Sequence, residues 1–419
     1  MMKANYYIPR DIEASLKDIV NSFPATAVTG PRQSGKSTML GRIFKNSHNM
    51  VSFDDPLVRE QAIKDPRLFI ENCGEKIIFD EIQYVPEILS YLKILIDKDR
   101  HKRGRFILTG SQQFNLIRNL GESLAGRIGL LELLSFSILE KKKIGFFKKD
   151  FIDTKTYYVH SCLRGSFPEI TLYPDIKTRH WYAGYIQTYL ERDIRTIYNI
   201  GQLREFQQFL HLLSVRCAQI LNLSSFANDL GVSVNTIKKW LAILEASRII
   251  YILPPYHRNL GKRIIKSPKI YFLDNALICY LTNTCNKDDL FRGPLAGALF
   301  ENFVVQETVK HFFNKGIQPR LFYLRTHNNT EVDLLIERGV EVFPVEIKLT
   351  KTPSLIMARP IEKFRSNFKK LRINEGCVVA LSSNNFKLSS NVSVFDMDSY
   401  LKYLDDILSA LGVPQVLAD

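Results

Sequence analysis

The feature that most restricts how this chain folds lies near its start. A short β-branched run, Ala25-Thr-Ala-Val-Thr29, leads directly into Gly30-Pro-Arg-Gln-Ser-Gly35-Lys36-Ser37-Thr38, and a helical pattern follows over residues 35–44. The spacing G-x-x-x-x-G-K-[ST] carries meaning in this context, with a strand before it and a helix after. The glycines let the backbone turn its N–H groups onto an anion at a helix N-terminus, where the peptide dipoles also favour negative charge. Lys36 adds a point charge for the β- and γ-phosphates of a nucleotide, and the Ser37 hydroxyl is placed to ligate Mg2+. Gly30, Pro31, Arg32, Gln33, Ser34, Gly35, Lys36, Ser37 and Thr38 therefore form the expected phosphate-binding segment.

Partners for such a loop follow downstream. Ile77-Ile78-Phe79-Asp80-Glu81 is an apolar strand tipped with two carboxylates. Asp80 suits a Mg2+ ligand acting through water, and Glu81 suits the group that orients and activates the water attacking a γ-phosphate. The next strand ends in Thr109-Gly-Ser111, where either hydroxyl is a candidate phosphate sensor. Arg127, in Leu124-Ala-Gly-Arg127, starts a further strand; it is a candidate arginine for a γ-phosphate of the same or a neighbouring subunit. Strands expected at 25–29, 50–54, 76–80, 105–109 and 128–133 alternate with helices, for example at 35–44 and 86–97. This is the signature of a doubly wound α/β sheet that binds ligands at its carboxyl edge.

At 419 residues the chain exceeds what one core organises. The strand alternation ends at the lysine-rich stretch 141–150, giving an expected division into a P-loop domain (1–140), a helical lid or linker (141–223), a helix-turn-helix with a wing (224–285) and a C-terminal α/β domain (290–419). No run approaches 18 apolar residues and the first residues lack a secretory pattern, so a cytoplasmic protein without membrane contact is expected. The six cysteines contain no C-x-x-C pair, which argues against a zinc ribbon. The net charge of +14 suits a partner that is a phosphate polymer.

Within 225–241, Ala227 precedes Gly231 by four residues, Ser233 stands ready to cap a helix, and Ile237 and Trp240 fall on one face. A small residue for close helix approach, a glycine for the left-handed turn and an inward apolar face make a helix-turn-helix. Asn235, Thr236, Lys238 and Lys239 are then the exposed residues of the second helix. Arg258, Lys262, Arg263 and Lys266 lie in the expected wing loop, so DNA is the expected partner, with docking onto protein as the alternative.

In the last region Glu331-Val-Asp333 and Val345-Glu346-Ile-Lys348 fall on neighbouring strands. Asp333 and Glu346 are expected to share a Mg2+, Lys348 to steer a water towards a phosphodiester, and Glu301 on the preceding helix to add a carboxylate. The order of elements and the D-x(12)-E-x-K spacing resemble the restriction-endonuclease-like PD-(D/E)xK fold.

The stretches TGPRQSGKST, IIFDEIQ, ILTGS, LAGR, RGSFPE and YLERDI resemble the prokaryotic AAA-superfamily ATPases that carry a C-terminal domain of unknown function. The resemblance implies an additional-strand catalytic-glutamate P-loop core with Lys36, Ser37, Asp80 and Glu81 in the roles above, and ATP as the nucleotide. Ser166 and Gln112 depart from the family's usual residues, and the second leaves the sensor open between Thr109 and Ser111. The expected function is ATP hydrolysis coupled to DNA engagement, with a metal-dependent nuclease-like module. The alternative is a nucleotide-controlled interaction switch whose last domain is catalytically silent. A homo-oligomer is expected if an arginine acts in trans.

Overall fold

The computed structural model describes residues 7–110, 124–143, 145, 153–190, 203–256, 266–326 and 330–409. The first sheet comprises β1 (Ala25–Thr29), β2 (Asn49–Ser52), β3 (Ile77–Asp80), β4 (Phe106–Thr109) and β5 (Ile128–Glu132), all parallel in the order β2-β3-β4-β1-β5. β4 thus lies between the strand that feeds the glycine-rich loop and the strand that ends in Asp80. Every residue of β1, β3 and β4 is buried. Such strands carry no polar alternation because both faces are covered. On one face α1 (Glu13–Ser22) and α2 (Lys36–Ile43) pack Leu16, Met39 and Leu40 against Val28, Ile78 and Ile107. On the other, α3 (Pro56–Lys64), α4 (Pro66–Cys73) and α5 (Ile88–Lys98) cover Ala27, Phe79 and Leu108.

The middle of the chain is helical: α6 (Ile138–Lys143), α7 (Thr154–Leu163), α8 (Pro168–Leu172), α9 (Thr178–Tyr185), α10 (Leu203–Val215), α11 (Leu223–Leu230) and α12 (Val234–Ala246), followed by the antiparallel ribbon β6 (Ile250–Leu253) and β7 (Lys269–Phe272). The turn between α11 and α12 forms as the sequence implies. Gly231 takes φ +65°, the Ser233 hydroxyl accepts from Thr236 N at 3.1 Å, and Ile237 and Trp240 are fully buried. Trp240 packs on Phe206 and Phe209 of α10, so that helix shares the core of the turn; a boundary at 224 separates side chains that are in contact.

After α13 (Asn275–Leu281) and α14 (Lys287–Arg292), α15 (Ala296–Asn314) follows, buried on all sides from Asn302 onward. Its Asn302 amide accepts from Phe272 N (2.7 Å) and donates to Phe272 O (2.9 Å), satisfying the backbone of β7. Antiparallel β8 (Leu321–Arg325), β9 (Glu331–Arg338) and β10 (Glu341–Lys348) follow, then α16 (Arg359–Asn367), the short β11 (Arg372–Ile373), and β12 (Gly376–Ala380) parallel to β10. β13 (Phe386–Ser389), β14 (Val392–Phe395) and α17 (Met397–Ser409) complete the domain, with sheet order β13-β14-β12-β10-β9-β8. One continuous core joins α7, α10 to α13, α15 and α17, so the helical region and the last domain are packed as one body.

Candidate functional site

The carboxyl edge of the first sheet gathers the residues singled out in the sequence. Gly30 takes φ +144°, and a Cβ there would stand 2.0 Å from Leu133 O, where the chain leaving β5 passes. Only glycine permits that approach. Gly35, at φ +93°, starts α2. Lys36, the first residue of that helix, is buried, and its Nζ donates to Gly30 O (3.0 Å) and Pro31 O (2.9 Å), which holds the ammonium within the loop. From the next position on the helix, Ser37 Oγ donates to Asp80 Oδ1 at 2.8 Å. Burial, opposed by that hydrogen bond, pushes the Asp80 carboxyl up to about 6. Hydroxyl and carboxylate oxygens in contact are hard donors of the kind Mg2+ takes, so these two residues fit the ion.

Glu81 adopts φ +55°, ψ 44°, a left-handed conformation that carries strain for a residue with a Cβ, and Gln83 Nε2 donates to its carboxylate. Non-glycine residues in this region cluster at functional sites because the surroundings must hold them there. Thr109 ends β4 with its hydroxyl buried and without a hydrogen-bond partner among the described residues. Ser111 lies outside the described residues.

Arg127 is placed differently from the expectation for a residue acting within its own chain. Ile128 pairs with Ala25, so Arg127 stands at the amino edge of a parallel sheet, one strand length from the loop. Its guanidinium forms a two-point pair with Asp97 (2.7 and 3.0 Å).

A residue missed in the sequence supports the loop from beneath. Arg10, 5% exposed, donates to Ser34 O (2.9 Å), to Leu134 O (2.8 Å) and to Glu140 Oε1 (2.8 Å), and Glu140 is fully buried. Glu140 also accepts from Asp11 N and Ser137 N. Burial raises the Glu140 carboxyl, but Arg10 and these donors more than offset that, so its pKa lies below the usual range. A separation of 130 residues left no sequence signal for the pair. The RGSFPE stretch closes on the same place: the Pro168 ring stands beside Gly35, and Ser166 N donates to Asp274 Oδ2 at 2.9 Å. Gly165 is required there, since a Cβ would lie 2.1 Å from the Tyr182 hydroxyl.

The C-terminal sheet brings Asp333, Glu346 and Lys348 together. Lys348 Nζ lies 2.9 Å from Asp333 Oδ2 and 2.7 Å from Glu346 Oε2, and Ile347 N donates to Asp333 at 2.9 Å. Burial raises the Asp333 carboxyl, yet Lys348 and Lys269 more than offset it and the net direction is down; burial and the neighbouring Asp333 push Glu346 well up. Glu301 does not join the pair as a metal ligand. It accepts from Tyr271 OH (2.6 Å) and from Lys269 Nζ (3.1 Å). Lys348 stands between Asp333 and Glu346 and Lys269 engages Glu301, so these acids do not fit Mg2+ as placed.

On α12, Asn235, Lys238 and Lys239 are exposed and Thr236 is half-buried. Arg258, Lys262 and Arg263 lie outside the described residues, and Lys266 is exposed ahead of β7. No helix among the described residues is long and apolar enough to cross a membrane.

Comparison with known proteins matches three stretches of the chain. Residues 22–141 match the model of an AAA domain, and residues 155–288 and 296–400 match two domains of unknown function. An uncharacterized protein of Mycobacterium tuberculosis is 29% identical over 96% of this chain and 87% of its own length. Another, from Methanocaldococcus jannaschii, is 25% identical over 88% of this chain and 83% of its own. Among solved structures, a Walker-type ATPase of Pyrococcus abyssi aligns with a TM-score of 0.41 at 16% identity, covering 66% of this chain and 96% of that one. The RuvB Holliday junction branch migration motor of Thermotoga maritima aligns with a TM-score of 0.30 at 14% identity, covering 58% and 89%.

Proposed function

We propose that this chain, whose residues 22–141 match an AAA-type P-loop domain, binds and hydrolyses ATP at the carboxyl edge of its first sheet. The observation that carries this reading is the contact between Ser37 and Asp80, with Lys36 inside the loop and Glu81 on the adjoining turn. Lys36 and the loop amides bind the β- and γ-phosphates. Ser37 and Asp80 would hold Mg2+, which supplies charge neutralisation at the phosphates when bound. Glu81 orients the attacking water and accepts its proton, and Thr109 offers a hydroxyl to the terminal phosphate. Arg10 keeps the loop in place through Ser34 and is a positioning residue. Binding of a fluorescent ATP analogue to the full chain and to Lys36→Ala tests the reading: the variant should lose binding at least tenfold, and equal affinity would remove Lys36 from the site.

The exposed face of α12 favours a second element of the same reading, contact with duplex DNA through Asn235, Lys238 and Lys239 in the manner of a winged helix. Phosphate contacts make affinity fall with salt at a slope near −0.9 for each phosphate neutralised. Lys238→Ala/Lys239→Ala should flatten that slope by about one to two units. An unchanged slope would assign this face to a protein partner.

A further inference from the structure

The acids of the C-terminal sheet take one of their counter-charges from outside their own domain. Lys269 opens β7, in the ribbon that follows the helix-turn-helix, and its side chain is 4% exposed. Its ammonium lies 3.1 Å from Glu301 Oε1 and 3.2 Å from Glu331 Oε1, over the ring of Tyr323 at 5.5 Å. Tyr271, two residues along the same strand, donates to Glu301. A buried ammonium is stable only when acids surround it, and Glu301, Asp333 and Glu331 together hold this one charged.

The same placement decides what the neighbouring acids can bind. Asp333 and Glu346 offer hard oxygen donors on adjacent strands, and Glu346 Oε1 is buried with no hydrogen-bond partner among the described residues. Lys348 Nζ already stands between the two acids, so a divalent ion would have to displace it and draw on the remaining Glu346 oxygen and on a third carboxylate. A third carboxylate is near, since Glu301 and Asp333 feel one another's charge, yet Lys269 and Tyr271 engage Glu301. Position and charge together make Lys269 the competitor of a divalent ion.

We propose that Lys269 is a built-in counter-cation that keeps divalent metal out of the Asp333–Glu346 site by neutralising the cluster and engaging Glu301. The proposal rests on reading Asp333 and Glu346 as metal-binding acids. It makes the last domain closed to metal for as long as the β7 ribbon stays docked, and it places control of that site on the helix-turn-helix unit. Arg325, 3.6 Å from Glu331, and Lys348 remain as cations when Lys269 is removed, so the variant cluster is not stripped of charge compensation.

Mn2+ binding to the full chain without nucleotide, followed by electron paramagnetic resonance, tests this. Lys269→Gln should bind one equivalent more, at least tenfold tighter than the parent. Lys269→Arg should behave as the parent, and Asp333→Asn added to Lys269→Gln should abolish the gain. Equal, Asp333-dependent binding in parent and Lys269→Gln would keep the metal site and overturn the role of Lys269. Absence of Asp333-dependent binding in every variant would overturn the metal reading and the proposal with it. If Lys269→Gln loses the native circular dichroism spectrum, Lys269→Met, of similar length and neutral, carries the same comparison.

Discussion

Two carboxylate and lysine constellations sit at opposite ends of this chain and are compensated in different ways. At the first sheet, Asp80 meets the neutral hydroxyl of Ser37, while Lys36 donates to backbone carbonyls of its own loop. In the last sheet, Asp333 and Glu346 meet the ammonium of Lys348, and Glu301 and Glu331 meet Lys269. A carboxylate facing a hydroxyl in a buried setting keeps an unmet demand for positive charge, which is why burial lifts Asp80 to about 6. Acids facing ammonium groups have that demand met internally. The same residue types on adjacent elements thus make a receptive site in one place and a joint between domains in the other.

The largest effect expected from this contrast is on turnover. Glu81→Gln should lower ATP hydrolysis by roughly 10²- to 10⁴-fold, the span of general-base catalysis, while ATP binding persists. Near-normal phosphate release in a coupled assay would take Glu81 out of its role.

Stability should then respond with opposite sign at the two sites. Asp333 has a lowered folded pKa, so its contribution is present above about pH 4 and is lost as pH falls through the folded value. Asp333→Asn should therefore cost roughly 3–5 kcal/mol at pH 8, as for a broken buried pair, and progressively less as pH falls below about 4. Asp80 has a raised folded pKa, so stability declines as pH rises from about 4 to about 6, where the native carboxyl is forced to ionise. Asp80→Asn should gain on the order of 1–2 kcal/mol at pH 8, with the gain fading below pH 4. Denaturant titrations of both variants at the two pH values check this; the same sign at pH 8 would break the comparison.

The difference between a single and a double variant separates charge from packing beneath the loop. Breaking the Arg10–Glu140 pair at one end, by Arg10→Met, should destabilise by about 3–5 kcal/mol, whereas Arg10→Met/Glu140→Met should recover part of that loss, the backbone groups served by both side chains staying without partners. Because Arg10 also carries Ser34, ATP affinity should stay reduced in the double variant even when part of the stability returns. Recovery of both together would make the pair purely structural.

Local chemistry accounts for much of what could be read without coordinates. The phosphate loop, Asp80 and Glu81 are legible because glycine, lysine and acids recur at fixed offsets around a strand end, and chain geometry forces neighbours in sequence to be neighbours at a sheet edge. The turn between α11 and α12 is legible for the same reason, since Ala227, Gly231, Ser233 and Ile237 lie close together along the chain. Arg127 shows the limit of such reasoning: a residue that begins a parallel strand must sit at the edge away from the loop, a consequence of strand direction that motif spacing does not express.

The sequence by itself determined which residues gather at the carboxyl edge of the first sheet and where the chain changes from strands to helices, since both follow from short-range backbone geometry. Only the tertiary structure decided which charges are shared. Arg10 reaches Glu140 across 130 residues, and Lys269 reaches Glu301 across 32, because burial in a common core, not spacing along the chain, dictates which acid an ammonium or guanidinium must find.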